Sequence, residues 1–225
     1  MTLRRAGLLV AGALLLVAGI YAAARGGLAD SHYYNASVIL AAADQAKRPP
    51  GAADLASAQA SLAEALALEP ANPLFVEQRA RIQQMRAQSL PRGSPAAHAL
   101  LRQSLKQFRS AALMRPGSPY VWAAIASIKQ RLNDLDAEFY GALDRAARYG
   151  EWEPAIQLAL VDIGFGSWQL LTEPARRLVL GAANRALLRQ EPEVRRIAVR
   201  YRALSSNCAH GAASQAAPPG FCVKK

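Results

Sequence analysis

The side chains best equipped for chemistry are few in this 225-residue chain. Its 3 histidines, His32, His98 and His210, lie far apart. None falls in a His-x-x-x-His or His-Glu-x-x-His pattern, the spacing that puts two imidazoles on one helix face around zinc. Cys208 and Cys222 frame a Pro/Gly/Ala-rich tail, NCAHGAASQAAPPGFC. Bridged, they would close a loop of about 15 residues and contribute on the order of 3 kcal/mol. The alternatives are two free thiols, or a metal site with His210. Three ligands fall short of the four that structural zinc takes. The disulfide is the expectation, with no metal and no cofactor.

Two carboxylate pairs, Asp134/Asp136 and Glu151/Glu153, have the composition that glycoside hydrolysis needs. Both open helices, where acids favour the positive end of the helix dipole, so capping and solvation are the expected roles. There is no Gly-x-Ser-x-Gly, no Cys-x-x-Cys and no Gly-rich phosphate loop with a lysine. Gly164-x-Gly166 reads as a turn. No catalytic residue is therefore assigned, and the protein is expected not to be an enzyme. Tyr120, Trp122, Trp152 and Trp168 flank turns. They suit either stacking on sugar rings or packing between helices, and packing is the expectation.

Charge is the stronger functional signal. Lys+Arg 27 against Asp+Glu 16 gives a net +11, which favours an anionic partner. No acid occurs from Gln78 to Asn133, while Arg79, Arg81, Arg86, Arg92, Arg102, Lys106, Arg109, Arg115, Lys129 and Arg131 fall there. Arg195, Arg196, Arg200 and Arg202 form a second cluster. One reading is a solvated surface that aids solubility. The other is a surface for anionic lipid, an acidic polymer or an acidic protein face. Arg79, Arg81, Arg102, Lys106, Arg109, Arg195, Arg196 and Arg200 are its candidate residues.

The elements that carry these residues begin with Gly7–Ala24, GLLVAGALLLVAGIYAAA, a run without charge. Eighteen such residues make about 27 Å of helix, close to the hydrocarbon thickness of a bilayer. Arg4 and Arg5 before it favour a cytoplasmic N-terminus, partly offset by Arg25 after it. A cleaved signal peptide is the alternative, with Ala22 and Ala24 at a cleavage-like site. Either way the rest of the chain is expected outside the cytoplasm, in the bacterial periplasm, where a disulfide persists and nucleic acid is not an expected partner.

From residue 30 helical periodicity dominates and no strand pattern appears. A helix is expected over Ser31–Ala46, with Val38 and Ala42 on its apolar side. Asp54–Glu69 follows, with Leu55, Ala58, Leu62, Ala65 and Leu66 on one face. Further helices are Leu74–Gln88, Ala96–Arg115, one from Pro119 with Ser118 as its N-cap, Leu135–Tyr149, and one from Glu153-Pro154 to Ile163. Thr172-Glu173-Pro174 starts another, which ends at Gln190. Pro192 opens the last, with Val194, Ile197, Ala198, Tyr201 and Leu204 as its stripe.

Two junctions are alike: Glu69-Pro70-Ala71-Asn72-Pro73 and Arg115-Pro116-Gly117-Ser118-Pro119. Each ends an Ala-rich helix in Pro-x-x-Pro. A looser echo, Gly150-Glu151-Trp152-Glu153-Pro154, lies about one 34-residue repeat further on. The fold expected is all-α: an N-terminal transmembrane helix over 1–29, a tetratricopeptide-like array of antiparallel helical hairpins over 30–204, and an irregular tail over 205–225.

The stretch Phe108–Leu171 also resembles a family. RPGSPYVWAAIASIK (Arg115–Lys129), DAEFYGALDRAARYG (Asp136–Gly150), WEPAIQLAL (Trp152–Leu160) and the Gly164/Trp168 pair carry the resemblance. They resemble the VpsP-type proteins of bacterial exopolysaccharide biosynthesis, and the basic helices and Cys208 extend it. The resemblance implies a small membrane-anchored protein encoded with polysaccharide-assembly machinery. It supplies no catalytic residues. The expectation is a non-enzymatic, membrane-tethered scaffold or accessory factor in exopolysaccharide biosynthesis or export. Its partners would be the membrane and the proteins of that machinery. A scaffold of a secretion or pilus system, or a carbohydrate-binding or processing protein, are the alternatives.

Overall fold

The structure is a computed structural model that describes residues 2–45 and 49–201. Among these residues it is all-α, without a strand. It divides into two compact units, Met1–Ser89 and Leu90–Lys225.

The first unit holds three helices: α1 (Thr2–Gln45), α2 (Ala52–Leu68) and α3 (Pro73–Gln88). The expectation of a separate helix from Ser31 is corrected, since α1 runs through Arg25, Gly26 and Gly27 without a break. Two helical glycines cost about 1 kcal/mol each relative to alanine. Packing beyond them offsets that cost. Ala29, Ala36 and Leu40 are buried, and the Tyr33 ring stacks on Phe75 at 5.1 Å. The apolar side expected at Val38 and Ala42 is also corrected. Val38 is 46% exposed and Ala42 is exposed. The small side chains of Ala29 and Ala36 let the α2 backbone approach, which a β-branched valine would resist.

Helix α2 buries Leu55, Ala58, Leu62, Ala65 and Leu66, the face given by its periodicity. Asp54 in its first turn accepts from the Gly51 backbone at 2.9 Å. Asn72 caps α3 by accepting from the Leu74 backbone, and Pro73 takes the first helical position, where no N–H is needed.

The second unit contains α4 (Pro95–Met114), α5 (Pro119–Arg131), α6 (Ala137–Tyr149), α7 (Pro154–Gly166), a short 3-10 turn at Trp168–Leu170, and α8 (Glu173–Arg200). Successive helices pack on one another as antiparallel hairpins, as in a tetratricopeptide-like array, with α5 also against α7 and α6 against α8. Phe108, Val121, Ile125, Phe139, Leu143, Ile156 and Val179 lie in the core. Prolines open four of these helices because each supplies a pre-set φ where an N–H would be orphaned.

Three local features differ from expectation or refine it. Ser118 occupies the N-cap position of α5, but its side chain makes no capping hydrogen bond. The Gly164 turn is not a turn: α7 continues to Gly166. A Cβ on Gly164 would meet Val179 at 2.4 Å, so the glycine serves the close approach of α7 to α8. The two helices expected on either side of Pro192 form one run bent at Gln190, whose φ −140 and ψ 39 are non-helical. Proline at 192 removes an N–H donor and crowds the preceding turn. Gln190 donates its side-chain amide to the Pro154 carbonyl at 3.0 Å, which holds the bend against α7. Val194, Ile197 and Ala198 are buried beyond it, as their stripe predicts.

Candidate functional site

The expected carboxylate pair Asp134/Asp136 lies at the α5–α6 turn. Helix α5 stops there because Asn133 adopts φ 59, the left-handed conformation that asparagine tolerates better than most residues. The Asp134 backbone donates to the Lys129 carbonyl at 2.9 Å, and the Asn133 backbone to the Gln130 carbonyl at 3.0 Å. Together these two bonds form a Schellman closure. Asp136 then caps α6, accepting from the Phe139 backbone at 3.0 Å.

The closure brings three carboxylates onto one buried cation. Lys129 has 1% side-chain exposure, and its Nζ lies 2.9 Å from Asp134, 2.8 Å from Asp136 and 3.0 Å from Glu138. Glu138 also accepts a two-pronged contact from the Arg109 guanidinium. Burial pulls the Lys129 ammonium pKa down, but hydrogen bonds to Asp136, Asp134 and Glu138 outweigh it and raise the pKa above the ordinary lysine value. The Lys129 hydrogen bond holds Asp136 below the usual carboxylate range. The Arg109 hydrogen bond does the same for Glu138, with Lys129 adding to it. A lysine held charged offers no free amine for nucleophilic attack, and carboxyls held ionised donate no proton. The cluster is suited to fixing the hairpin. Lys129 was grouped in sequence with the basic stretch. Its signal was the acids five, seven and nine residues on, across a turn.

The second pair separates. Glu151 is ion-paired with Arg185 at 3.8 Å. Glu153 occupies the N-cap of α7 without capping it, and accepts from the Tyr120 hydroxyl at 2.9 Å. That bond joins the α4–α5 turn to the α6–α7 turn, so both proline-containing turns lie at one end of the hairpin row. The aromatics there have different fates. Trp168 is buried, in edge contact with Phe165. Trp122 donates its indole N–H to the Pro116 carbonyl and lies beneath the Arg145 guanidinium, 4.5 Å from the ring centre. Trp152 is 69% exposed, which corrects the expectation of packing for this residue. Tyr120, Tyr149 and Met114 are exposed on the same turns or helix ends. This aromatic end is the candidate interaction site of the second unit.

The candidate cationic residues fall in both units and differ in their partners. Arg79 is half-buried on α3 and lines a shallow groove with Gln59, Leu62 and Leu66 of α2, while Arg81 is exposed. In the second unit, Arg102 and Lys106 are exposed along α4, and Arg109 is committed to Glu138. On α8, Arg195 pairs with Glu191 at 2.8 Å, Arg196 with Glu193 at 3.9 Å and Arg200 with Asp162 at 2.8 Å. Among the described residues, Arg102 and Lys106 are therefore the open cations of the α4 set, one helical turn apart. Cys208, Cys222, His210 and Arg202 lie outside the described residues. No group of three metal-ligating side chains occurs among the described residues.

Compared with known proteins, the chain matches no family model, no curated protein and no solved structure. One described helix, over Val10–Ala42, is long and apolar enough to cross a membrane, and its most apolar 18-residue window is 0% buried.

Proposed function

We propose that this protein is a single-pass, membrane-tethered scaffold or accessory factor, without enzymatic activity, in the assembly or export of an extracellular polysaccharide. The observation that carries the tether is α1. No residue of its apolar window is buried in the protein, and the same helix continues directly into a packed unit. A core helix of a soluble protein would bury that window. The pathway rests on the resemblance of Arg115–Lys129 and Asp136–Gly150 to VpsP-type sequences. The exposed aromatic end built from the α4–α5 and α6–α7 turns supports contact with a partner protein. The tether would raise the local concentration of that surface near membrane enzymes.

In this reading the N-terminus is in the cytoplasm of a bacterium, the span crosses the inner membrane and the main domain is periplasmic. A reporter fused after Lys225 should be active only on the periplasmic side, and cytoplasmic activity would overturn the topology. Crosslinking in intact membranes followed by affinity purification should recover polymerase, chain-length or export components of polysaccharide assembly. Recovery of secretion or pilus subunits instead would move the scaffold to another envelope machine. The exposed Trp152 favours one second reading, direct stacking on sugar rings. Incubation of the full chain with the native polymer separates the two: binding without cleavage, abolished in Trp152→Ala, would favour polymer recognition.

A further inference from the structure

A charge-free run ends at Arg25, and the protein's first packed contacts begin there. Arg25 donates through Nε to the Leu68 carbonyl at 2.7 Å and through a terminal nitrogen to the same oxygen. Leu68 closes α2, so its carbonyl is one of those left without an intrahelical donor, and a guanidinium suits the negative helix end. A Cβ on Gly26 would meet the Glu69 carboxylate at 3.3 Å, which places the start of the turn directly against α1. Tyr21, Ala22 and Arg25 on α1 and the chain from Leu68 to Pro73 line an open groove of about 480 Å³. The α2–α3 turn is therefore held beside α1 at the level of residues 21–26.

That level is set by length. Between Arg5 and Arg25 the chain carries no charge. The helix between them is about 30 Å long, the thickness of the hydrocarbon layer, so both arginines fall at headgroup depth. Tyr21 lies one turn before Arg25, where interfacial tyrosines are enriched. The turn itself matches that depth. Pro70 and Ala71 are exposed, Leu74 is 44% exposed, and Glu69 accepts from the Asn72 side chain at 2.8 Å. Helix α2 then runs away from this level, its first turn about 25 Å from Leu68.

We infer that the α2–α3 turn, Leu68–Leu74, is seated in the phospholipid headgroup layer beside α1, as a second membrane contact of the first unit. The inference rests on α1 spanning the bilayer. It makes the first unit stand on the membrane by a defined end, with the groove beside Tyr21 and Arg25 filled by lipid headgroups.

The test uses the full chain in liposomes of phosphatidylethanolamine and phosphatidylglycerol. Cys208 and Cys222 are replaced by serine, and a nitroxide is attached at Ala71→Cys or, at the far end of α2, at Ala53→Cys. Both positions are exposed. The Ala71 label should collide several-fold less with a water-soluble nickel chelate, and more with oxygen, than the Ala53 label. Equal collision rates at the two sites, in protein that resists carbonate extraction, would overturn the seated turn and leave the anchor intact. Protein released by carbonate would overturn the anchor and the seated turn together.

Discussion

The Lys129 ammonium gives up its water on folding and receives three carboxylates in exchange. Those carboxylates keep part of their own hydration, with side-chain exposures of 52%, 49% and 32%. Lys129→Met would therefore strand the acids at the surface rather than in the core, and should cost about 2–3 kcal/mol, below the usual penalty for breaking a fully buried pair. Urea unfolding checks this value. The pH dependence follows from the directions of the shifts. Asp136 and Glu138 have lowered pKa values in the folded state. Their contribution is complete above the ordinary carboxylate range and is lost as pH falls below about 4. Lys129 has a raised pKa, so its contribution is complete below about pH 10 and lost above it. Thermal melts should show a plateau between these limits, and Lys129→Met should blunt both edges. At Gly164 the added methyl would overlap Val179, so Gly164→Ala should cost about 1–3 kcal/mol and lower Tm. In sequence this glycine looked like a turn residue because its neighbour across the interface lies on another helix. Asp136 as a capping residue was readable locally. The acids that meet Lys129 lie within nine residues of it, but the Arg109 contact to Glu138 was not readable, because it reaches across tertiary structure.

Helices were legible where the local signal and the packing agree. The α2 face and the proline-led starts of α5, α7 and α8 follow from residues within one or two turns, while α3 and α4 start one residue before the expected Leu74 and Ala96, on Pro73 and Pro95. The bend at Gln190 was legible from Pro192. Helix α1 was not, because Gly26-Gly27 reads as punctuation when the packing beyond it is unseen. A Cβ at Gly27 would meet nothing within 4 Å. Gly27→Ala should therefore raise stability by up to about 1 kcal/mol by favouring the helix, while Gly27→Pro should kink α1 at this point and cost about 3 kcal/mol or more. Calorimetry in detergent checks both. If the two variants melt together, the helix does not depend on residue 27.

The whole chain reads as two units joined near Leu90-Pro91-Arg92-Gly93-Ser94-Pro95. The breakers Pro91, Gly93 and Pro95 in this linker are visible in sequence. That it separates two cores became visible only from the contacts. Arg92 is exposed and precedes Gly93, which has φ 79. Limited trypsin digestion should cut first after Arg92 and yield a C-terminal fragment that retains helical circular dichroism. A first cut within α4–α7, or a fragment that loses its helicity, would contradict independent cores.

The unbroken α1 has a mechanical consequence. If α1 crosses the bilayer as proposed, it continues from Arg25 to Gln45 for about 30 Å beyond the span, without a joint. Spanning helices lean to match bilayers of different thickness, on average by about 20°. A lean of that size would swing the outer end of α1 sideways by about 10 Å, and α2 with it. Local lipid composition would then steer where the first unit points, with α1 acting as a lever.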